Sequence, residues 1–509
     1  MKKWLGFICT AVLLLLLNVL PVAAQVGDMG FFGGITEGVR LPKTTEVLLA
    51  QNASSSANMQ LELAYKEVIF LSGEPVTFEG TINVRPSGSV TDKDSSGSYR
   101  VIYTVRGTDT ASDDARIART VTFTVNWRRQ NNQVVKDYVA TAWTETITAG
   151  GQTFTLDWRQ SHFDVSILES RSAGVTYYAG DMSMKAVYRG DSATSHEVAG
   201  TIYGYTSAWS HSEVQRLDGR VYTAAWDMQY QVRPSVSVEK ALQYSPNEPM
   251  AISFPGNYRE VMANQSGLQY DITVQPTRFN HVAKTGGASI STYNTFEQLI
   301  APDVSYLKGN FAEADISKLF AMEVLDGDPK FFQPNQQITR GQYVTMLVKA
   351  LKLPIDTSYQ QTSNSRTNKK VAVNVVFPDV MPERADYPYV MAAYTAGLAV
   401  GRGNGHFYVD SPIEREEAYV LLVRALGLSS LGPEPTPMTP FSDDASISAW
   451  AKKDLYAASR IGLLTGDLQG RVLPHTKISK AEAAAMVNRL VEYMRTGLRN
   501  DYSEYIVNY

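Results

Sequence analysis

The sequence predicts a multidomain protein: an all-β N-terminal region, built as an antiparallel sandwich or barrel, followed by an all-α region. Three observations carry this. Apolar residues alternate with period two from about residue 61 to 295. Near residue 300 the period changes to 3.6. From there the chain repeats itself three times.

Residues 1–24 read as a signal peptide. Lys2 and Lys3 are its positive start, Leu5 to Leu20 its apolar core, and Val22-Ala23-Ala24 its cleavage site. Cys9, the one cysteine, lies inside this leader. A mature chain without it has no thiol, so disulfides, thiolate chemistry and cysteine metal sites are excluded. No later window is apolar enough for a membrane-spanning helix, so no mature transmembrane segment is expected. Net charge is −4, which gives no basic field for nucleic acid.

Residues 25–60 are expected to be a flexible spacer, with Gly30, Gly33 and Gly34 in a loose aromatic stretch and a small polar run from Asn52 to Asn58. The β region, 61–295, opens with Val68, Phe70, Val76 and Phe78 around a Ser72-Gly73-Glu74-Pro75 turn. It continues with the β-branched runs Val101 to Val105 and Val121 to Val125, then Tyr203, Tyr205 and Trp209. Short loops imply antiparallel pairing.

The three repeats are assigned to 297–355, 374–429 and 438–495, with a C-terminal tail at 496–509. Each opens with an acidic turn, at Asp303, Asp379 and Asp443. Each then has a helix ending at glycine, at Gly327, Gly397 and Gly462. A loop follows with an apolar residue, Phe332, Phe407 or Val472. Eight residues on stands a basic residue, Arg340, Arg415 or Lys480, where a second helix begins. The distance from acidic turn to basic residue is 37, 36 and 37 positions. The second helices share one stripe: Tyr343, Met346, Leu347, Ala350 and Leu351, then Ala418 to Leu426, then Ala483 to Val491 in the same register. Ser358 to Lys370 is an insertion between the first two units.

The phrases Ile338-Thr339-Arg340-Gly341-Gln342, Ile413-Glu414-Arg415-Glu416-Glu417 and Ile478-Ser479-Lys480-Ala481-Glu482 resemble the signature of S-layer homology (SLH) domains. The resemblance covers about 200 residues. It implies a three-pronged pseudo-trimer with a central bundle and grooves between prongs. It also implies a secreted protein at the cell wall or S-layer, with secondary cell-wall polysaccharide or modified peptidoglycan as partner. Self-association in a surface array is a further expectation.

Thr339 with Gln342, and Ser479 with Glu482, read as capping boxes that place the basic residue first in its helix. A cation there opposes the helix dipole, and an acidic glycan in front of free N–H groups would relieve it. Arg340, Arg415 and Lys480 are therefore candidate polysaccharide-binding residues; the alternative is that they bridge neighbouring prongs. Asp303, Asp379 and Asp443 are candidates for sugar hydroxyls or for turn formation. Trp450 is a candidate for stacking on a sugar or for core packing.

No catalytic residue and no cofactor is expected. Asp92-Lys93-Asp94-Ser95-Ser96-Gly97 starts like a calcium loop but ends at Tyr103, and Asp109, Asp113 and Asp114 form a second acidic loop. The six histidines show no metal-ligand spacing; His196 and His211 are expected at solvated positions or facing each other on adjacent strands. The leading reading is a wall-anchored surface protein that is not an enzyme. The alternatives are a wall-anchored glycoside hydrolase with its site in the β region, and an outer-membrane barrel, which Arg116, Arg119, Arg128 and Arg129 argue against.

Overall fold

The computed structural model describes residues 30–36, 60–88, 94–111, 114–190, 193–245, 257–276, 282–291, 294–356 and 375–502. The leader at 1–24, most of the spacer, Asp92, Lys93, Asp113, the 358–370 insertion and residues 503–509 lie outside the described residues.

The β region is one antiparallel meander. Its strands are β1 (Ile35–Thr36), β2 (Leu61–Ile69), β3 (Val76–Ser87), β4 (Ser96–Asp109), β5 (Arg116–Gln130), β6 (Gln133–Ala149), β7 (Gln152–Leu156), β8 (His162–Arg171), β9 (Val175–Arg189), β10 (Thr194–Ser207), β11 (Ser210–Tyr222), β12 (Trp226–Ser245), β13 (Asn257–Pro276), β14 (Val282–Ser289) and β15 (Thr295–Leu299). Neighbours in sequence are neighbours in the sheet, with two exceptions. β7 and β8 both pair β6, and β14 and β15 both pair β13, so each couple occupies one strand's place. The sheet curls until β14 lies beside β2. Lys66 Nζ donates to the Ser289 carbonyl at 3.1 Å, and Lys284 pairs with Glu74 across the seam. The fold is a small barrel, not a sandwich.

Alternation decides which side each residue faces. Tyr103, Val105, Val121, Phe123, Val125, Ile167 and Ile202 point inward and are buried. Arg100, Arg106, Arg128, Asp181, Arg216, Asp218, Arg220, Gln229 and Arg233 point outward and are exposed. Among the described residues this face has no apolar band of the kind a lipid-facing barrel needs.

The barrel interior is filled partly by its own N-terminus. Residues 30–36, which the composition assigns to the spacer, are inside. Phe31 packs edge-on against Tyr103, Phe123 and Tyr138, with centroids 5.1 to 6.0 Å apart. Phe32 lies 4.5 Å from the Arg119 guanidinium. Gly34 is required by close approach: a Cβ there would stand 2.2 Å from the Tyr65 ring. Two adjacent phenylalanines give this stretch the apolar area that a solvated spacer lacks.

The helical region contains α1 (Glu313–Ala321), α2 (Arg340–Ala350), α3 (Tyr387–Thr395), α4 (Arg415–Leu426), α5 (Ala449–Arg460) and α6 (Lys480–Glu492). A π-helical turn, Tyr493–Gly497, leads into α7 (Leu498–Asp501). The repeats interleave. The second helix of each unit packs on the first helix of the next: α2 on α3, α4 on α5, and α6 back on α1. Asn488 Nδ2 donates to Asp315 Oδ1 at 2.7 Å across the last pair, which closes the circle.

Barrel and helices share one core. Val175, Tyr177, Tyr205 and Trp209 of the barrel belong to the same buried cluster as α2, α4 and α6. The contact satisfies carbonyls that helix ends leave unpaired. Trp209 Nε1 donates to Ala350 O at 2.8 Å, and Gly174 N to Ala425 O at 2.8 Å. Tyr177 OH donates to Leu426 O at 2.9 Å, and Ser210 Oγ donates to Met494 O. The stretch expected to be a tail joins in: Tyr502 stacks on Tyr177 at 5.7 Å and donates to Tyr178 O at 2.9 Å.

Because the two parts share this core, they are expected to unfold together. Trp209→Ala should cost about 3–5 kcal/mol and split a single calorimetric transition into two.

Candidate functional site

The three helix starts meet at a ring of backbone hydrogen bonds. Ile338 N donates to Ile478 O at 3.1 Å, Ile478 N to Ile413 O at 3.2 Å, and Ile413 N to Ile338 O at 3.1 Å. The isoleucine of each signature phrase therefore holds the next unit, and all three are buried.

Just after each isoleucine, the helix start leans on the following unit's loop. Arg340 N and Gly341 N donate to Ser411 O and Val409 O, both at 2.9 Å. Arg415 N and Glu416 N donate to Thr476 O at 2.9 Å and Pro474 O at 3.0 Å. Lys480 N and Ala481 N donate to Gln336 O at 2.8 Å and Pro334 O at 3.0 Å. These amides, expected to await a ligand, are used in closing the ring. An N–H buried at such a joint must find a carbonyl, and the neighbouring loop supplies it.

Arg340 and Arg415 are likewise engaged. Arg340 is 5% exposed and pairs with Glu417. It donates to Val400 O at 2.9 Å and lies 4.7 Å from the Phe407 ring centroid. Arg415 pairs with Glu482 at 2.5 Å and donates to Val472 O at 2.9 Å. Both bridge neighbouring units. Glu417 and Glu482 occupy the third position of the next unit's helix. The same position in the first unit is Gln342, which is neutral. Among the described residues, Lys480 accordingly has no carboxylate partner. Burial holds its ammonium below the ordinary lysine value, with no acid to offset it.

Lys480 opens onto a groove of about 530 Å³ between the first and second units. Gln342, Thr345 and Met346 of α2 form one wall, and Arg384, Asp386 and Tyr389 the other. Arg384 is neutralised by Asp386 at 2.9 Å and Asp410 at 2.7 Å. These two acids hold its guanidinium above the ordinary arginine value.

The acidic turns are structural in two units. Asp379 accepts from the amides of Phe407, Tyr408 and Val409 at 2.8, 2.6 and 3.2 Å. Burial opposes its ionisation, but these amides win and hold its carboxyl below the usual value. Asp443 accepts from Val472 and Leu473 at 2.9 and 2.7 Å. Asp303 only closes a local turn on Ser305 N at 3.2 Å. In its unit Tyr306 does the bracing, donating to Pro329 O at 2.7 Å and Phe332 O at 2.9 Å. Trp450 sits in the first turn of α5 and is 55% exposed, so it does not pack in the core.

Glu414 replaces the Ser or Thr of its two equivalents and makes no cap hydrogen bond, forgoing about 1 kcal/mol. It pairs instead with Lys477 at 2.5 Å and His475 at 3.3 Å.

The histidines expected in solvent or facing each other lie in separate places, His196 half-buried and His211 buried. His196 meets Tyr230 OH at 2.5 Å in the barrel interior, and its pKa is pushed down to about 3. His211, 1% exposed, meets Thr206 Oγ1 at 2.8 Å, and its pKa is pushed down to about 4. Burial is the larger cause in both cases. Two of the barrel's buried carboxylates, Glu67 and Glu145, share Arg119 at 2.7 and 2.9 Å. The free space beside Glu67 and Arg119 is about 30 Å³, room for one water rather than a sugar.

The S-layer homology domain model matches residues 307–344, 376–418 and 440–484, so the chain carries three S-layer homology repeats. An exoglucanase XynX from Acetivibrio thermocellus is 30% identical over 188 residues, 36% of this chain and 16% of that protein. An S-layer protein from Bacillus thuringiensis subsp. finitimus is 28% identical over 170 residues, 32% of this chain and 18% of that one. The S-layer protein sap of Bacillus anthracis is 29% identical over 172 residues, again 32% and 18%. The chain spans less than a fifth of these relatives. The repeats and the surface-layer relatives indicate a cell-surface location. Among the described residues no helix is long and apolar enough to cross a membrane.

Removing Arg340 leaves the buried Glu417 carboxylate with Arg402 alone, at 3.2 Å, so Arg340→Ala should lower stability by about 1–3 kcal/mol in denaturant titrations, less than for a fully unpaired buried charge. Asp379 has a depressed folded pKa, so its contribution is full above about pH 4 and is lost as pH falls through the folded value. Asp379→Asn should therefore lower the melting temperature at neutral pH and flatten its decline on acidification.

Proposed function

We propose that the repeats hold this protein non-covalently on an acidic cell-wall polymer and that the barrel is displayed outward as a surface or array element. One observation carries the choice of site. Of three cations at equivalent helix starts, two are consumed by carboxylates of the next unit, while Lys480 faces Gln342 and an open groove. A carboxylate on the glycan would supply the missing anion, in a charge-assisted hydrogen bond worth roughly 1.5–3 kcal/mol. The exposed ring of Trp450 is suited to stack on a sugar face at a second point, and two weak contacts on one rigid module reinforce each other.

The chain is taken to be an anchor and not a catalyst. A hydrolase would need two carboxylates flanking a sugar. The pair formed by Glu67 and Glu145 is locked on Arg119 beside a space of about 30 Å³. The exoglucanase relative matches over only 16% of its length, too little to carry that protein's activity over to this chain.

The test is sedimentation of the full-length mature chain with purified walls, before and after removal of their acidic polymer. Binding is expected only before removal. Lys480→Ala should weaken it about tenfold while leaving the melting temperature within a few degrees, and Trp450→Ala should weaken it less. Undiminished binding to stripped walls would defeat the ligand, and undiminished binding by Lys480→Ala would defeat the site.

A further inference from the structure

The joint between the second and third units carries chemistry that its two counterparts lack. All three joints share the same pair of backbone bonds from a helix start to the next loop. At this joint Glu414, Glu416 and His475 converge. The equivalent positions are Thr339, Gly341 and Asp410 at one joint, and Ser479, Ala481 and Asn335 at the other. Two closed joints without the trio show that the fold does not require it.

Two of the three distances suit a coordination site. His475 Nδ1 stands 3.3 Å from Glu414 Oε2 and 3.6 Å from Glu416 Oε1. One ligand atom from each of the three residues lies within 4.8 Å of the others. Ligand atoms about a tetrahedral ion with bonds of about 2.0–2.1 Å stand about 3.3–3.4 Å apart. The groups are also aimed. Glu416 is 1% exposed, and its carboxylate is fixed by Ser448 N at 3.0 Å and Ser448 Oγ at 2.6 Å. The Ser446 backbone hydrogen-bonds the His475 ring, the kind of outer contact that orients a metal-binding imidazole. Lys477 neutralises Glu414 through Oε1, leaving Oε2 turned toward His475. His475 Nδ1 can donate to Glu414 at 3.3 Å when it carries a proton, and it offers its lone pair to a cation when it does not.

We propose that Glu414, Glu416 and His475 bind one divalent ion of the zinc class, clamping the second unit to the third, with water at the remaining position. One imidazole with two carboxylates suits zinc, whereas calcium prefers six or more oxygens. The proposal is independent of the glycan groove, which lies at a different joint.

The test uses the full-length mature chain, dialysed against chelator and titrated with zinc chloride by calorimetry. Cobalt(II) chloride serves as a visible-absorption probe. One ion per chain is expected, with tetrahedral cobalt bands that zinc abolishes. His475→Gln should weaken binding at least tenfold, while His406→Gln should not change it. His475 is more than half exposed, so the metal-free variant should melt like the parent. Absence of saturable binding, or equal binding by His475→Gln, would overturn the proposal.

Discussion

Everything in the helical module depends on the cyclic bond among Ile338, Ile413 and Ile478. Each amide donates to a neighbour's carbonyl, and the third bond returns to the first residue. A repeat unit cannot bury its apolar face alone, so stacking on neighbours is the usual remedy. Here the stack closes after three, and no unit is left as an exposed end. In consequence the helix-start amides and two of three basic side chains are taken up by assembly. The ion pairing is broken where Gln342 stands in place of a glutamate, and Lys480 has no carboxylate partner among the described residues.

The same kind of pairing joins the barrel to the repeats. Helices end with carbonyls that lack partners. Hairpin tips of the barrel, at 172–177 and 207–210, bring donors to the ends of α2, α4 and the α6 extension. Trp209 is held between Lys352 and Arg495, with cations 4.5 and 4.6 Å from its ring centroid. A pull on the repeats would thus reach the barrel through packed side chains rather than through a slack linker.

Local features were legible in the sequence, and long-range ones were not. Arg340, Arg415 and Lys480 do begin their helices: a 3.6 period in adjacent residues marks all three, and capping boxes mark the first and third. Period two revealed strands but left sandwich and barrel equally open, since closure depends on β14 meeting β2 some 200 residues away. The Phe31-Phe32 plug was hidden by the glycines around it. The pairing of Arg340 with Glu417 spans 77 residues and follows only once the units are known to interleave. Had the closure been assumed, positions 417, 482 and 342 would have singled out Lys480 from the sequence itself.

The most direct measurement is wall-polymer affinity of Gln342→Glu. This change gives the third joint the carboxylate its two equivalents already have, and a glutamate serves the capping box equally well, as Glu482 does beside Ser479. Equal or higher thermal stability is expected, together with at least a tenfold loss of affinity. Full affinity in a folded Gln342→Glu chain would contradict a role for Lys480 as the free cation of the groove.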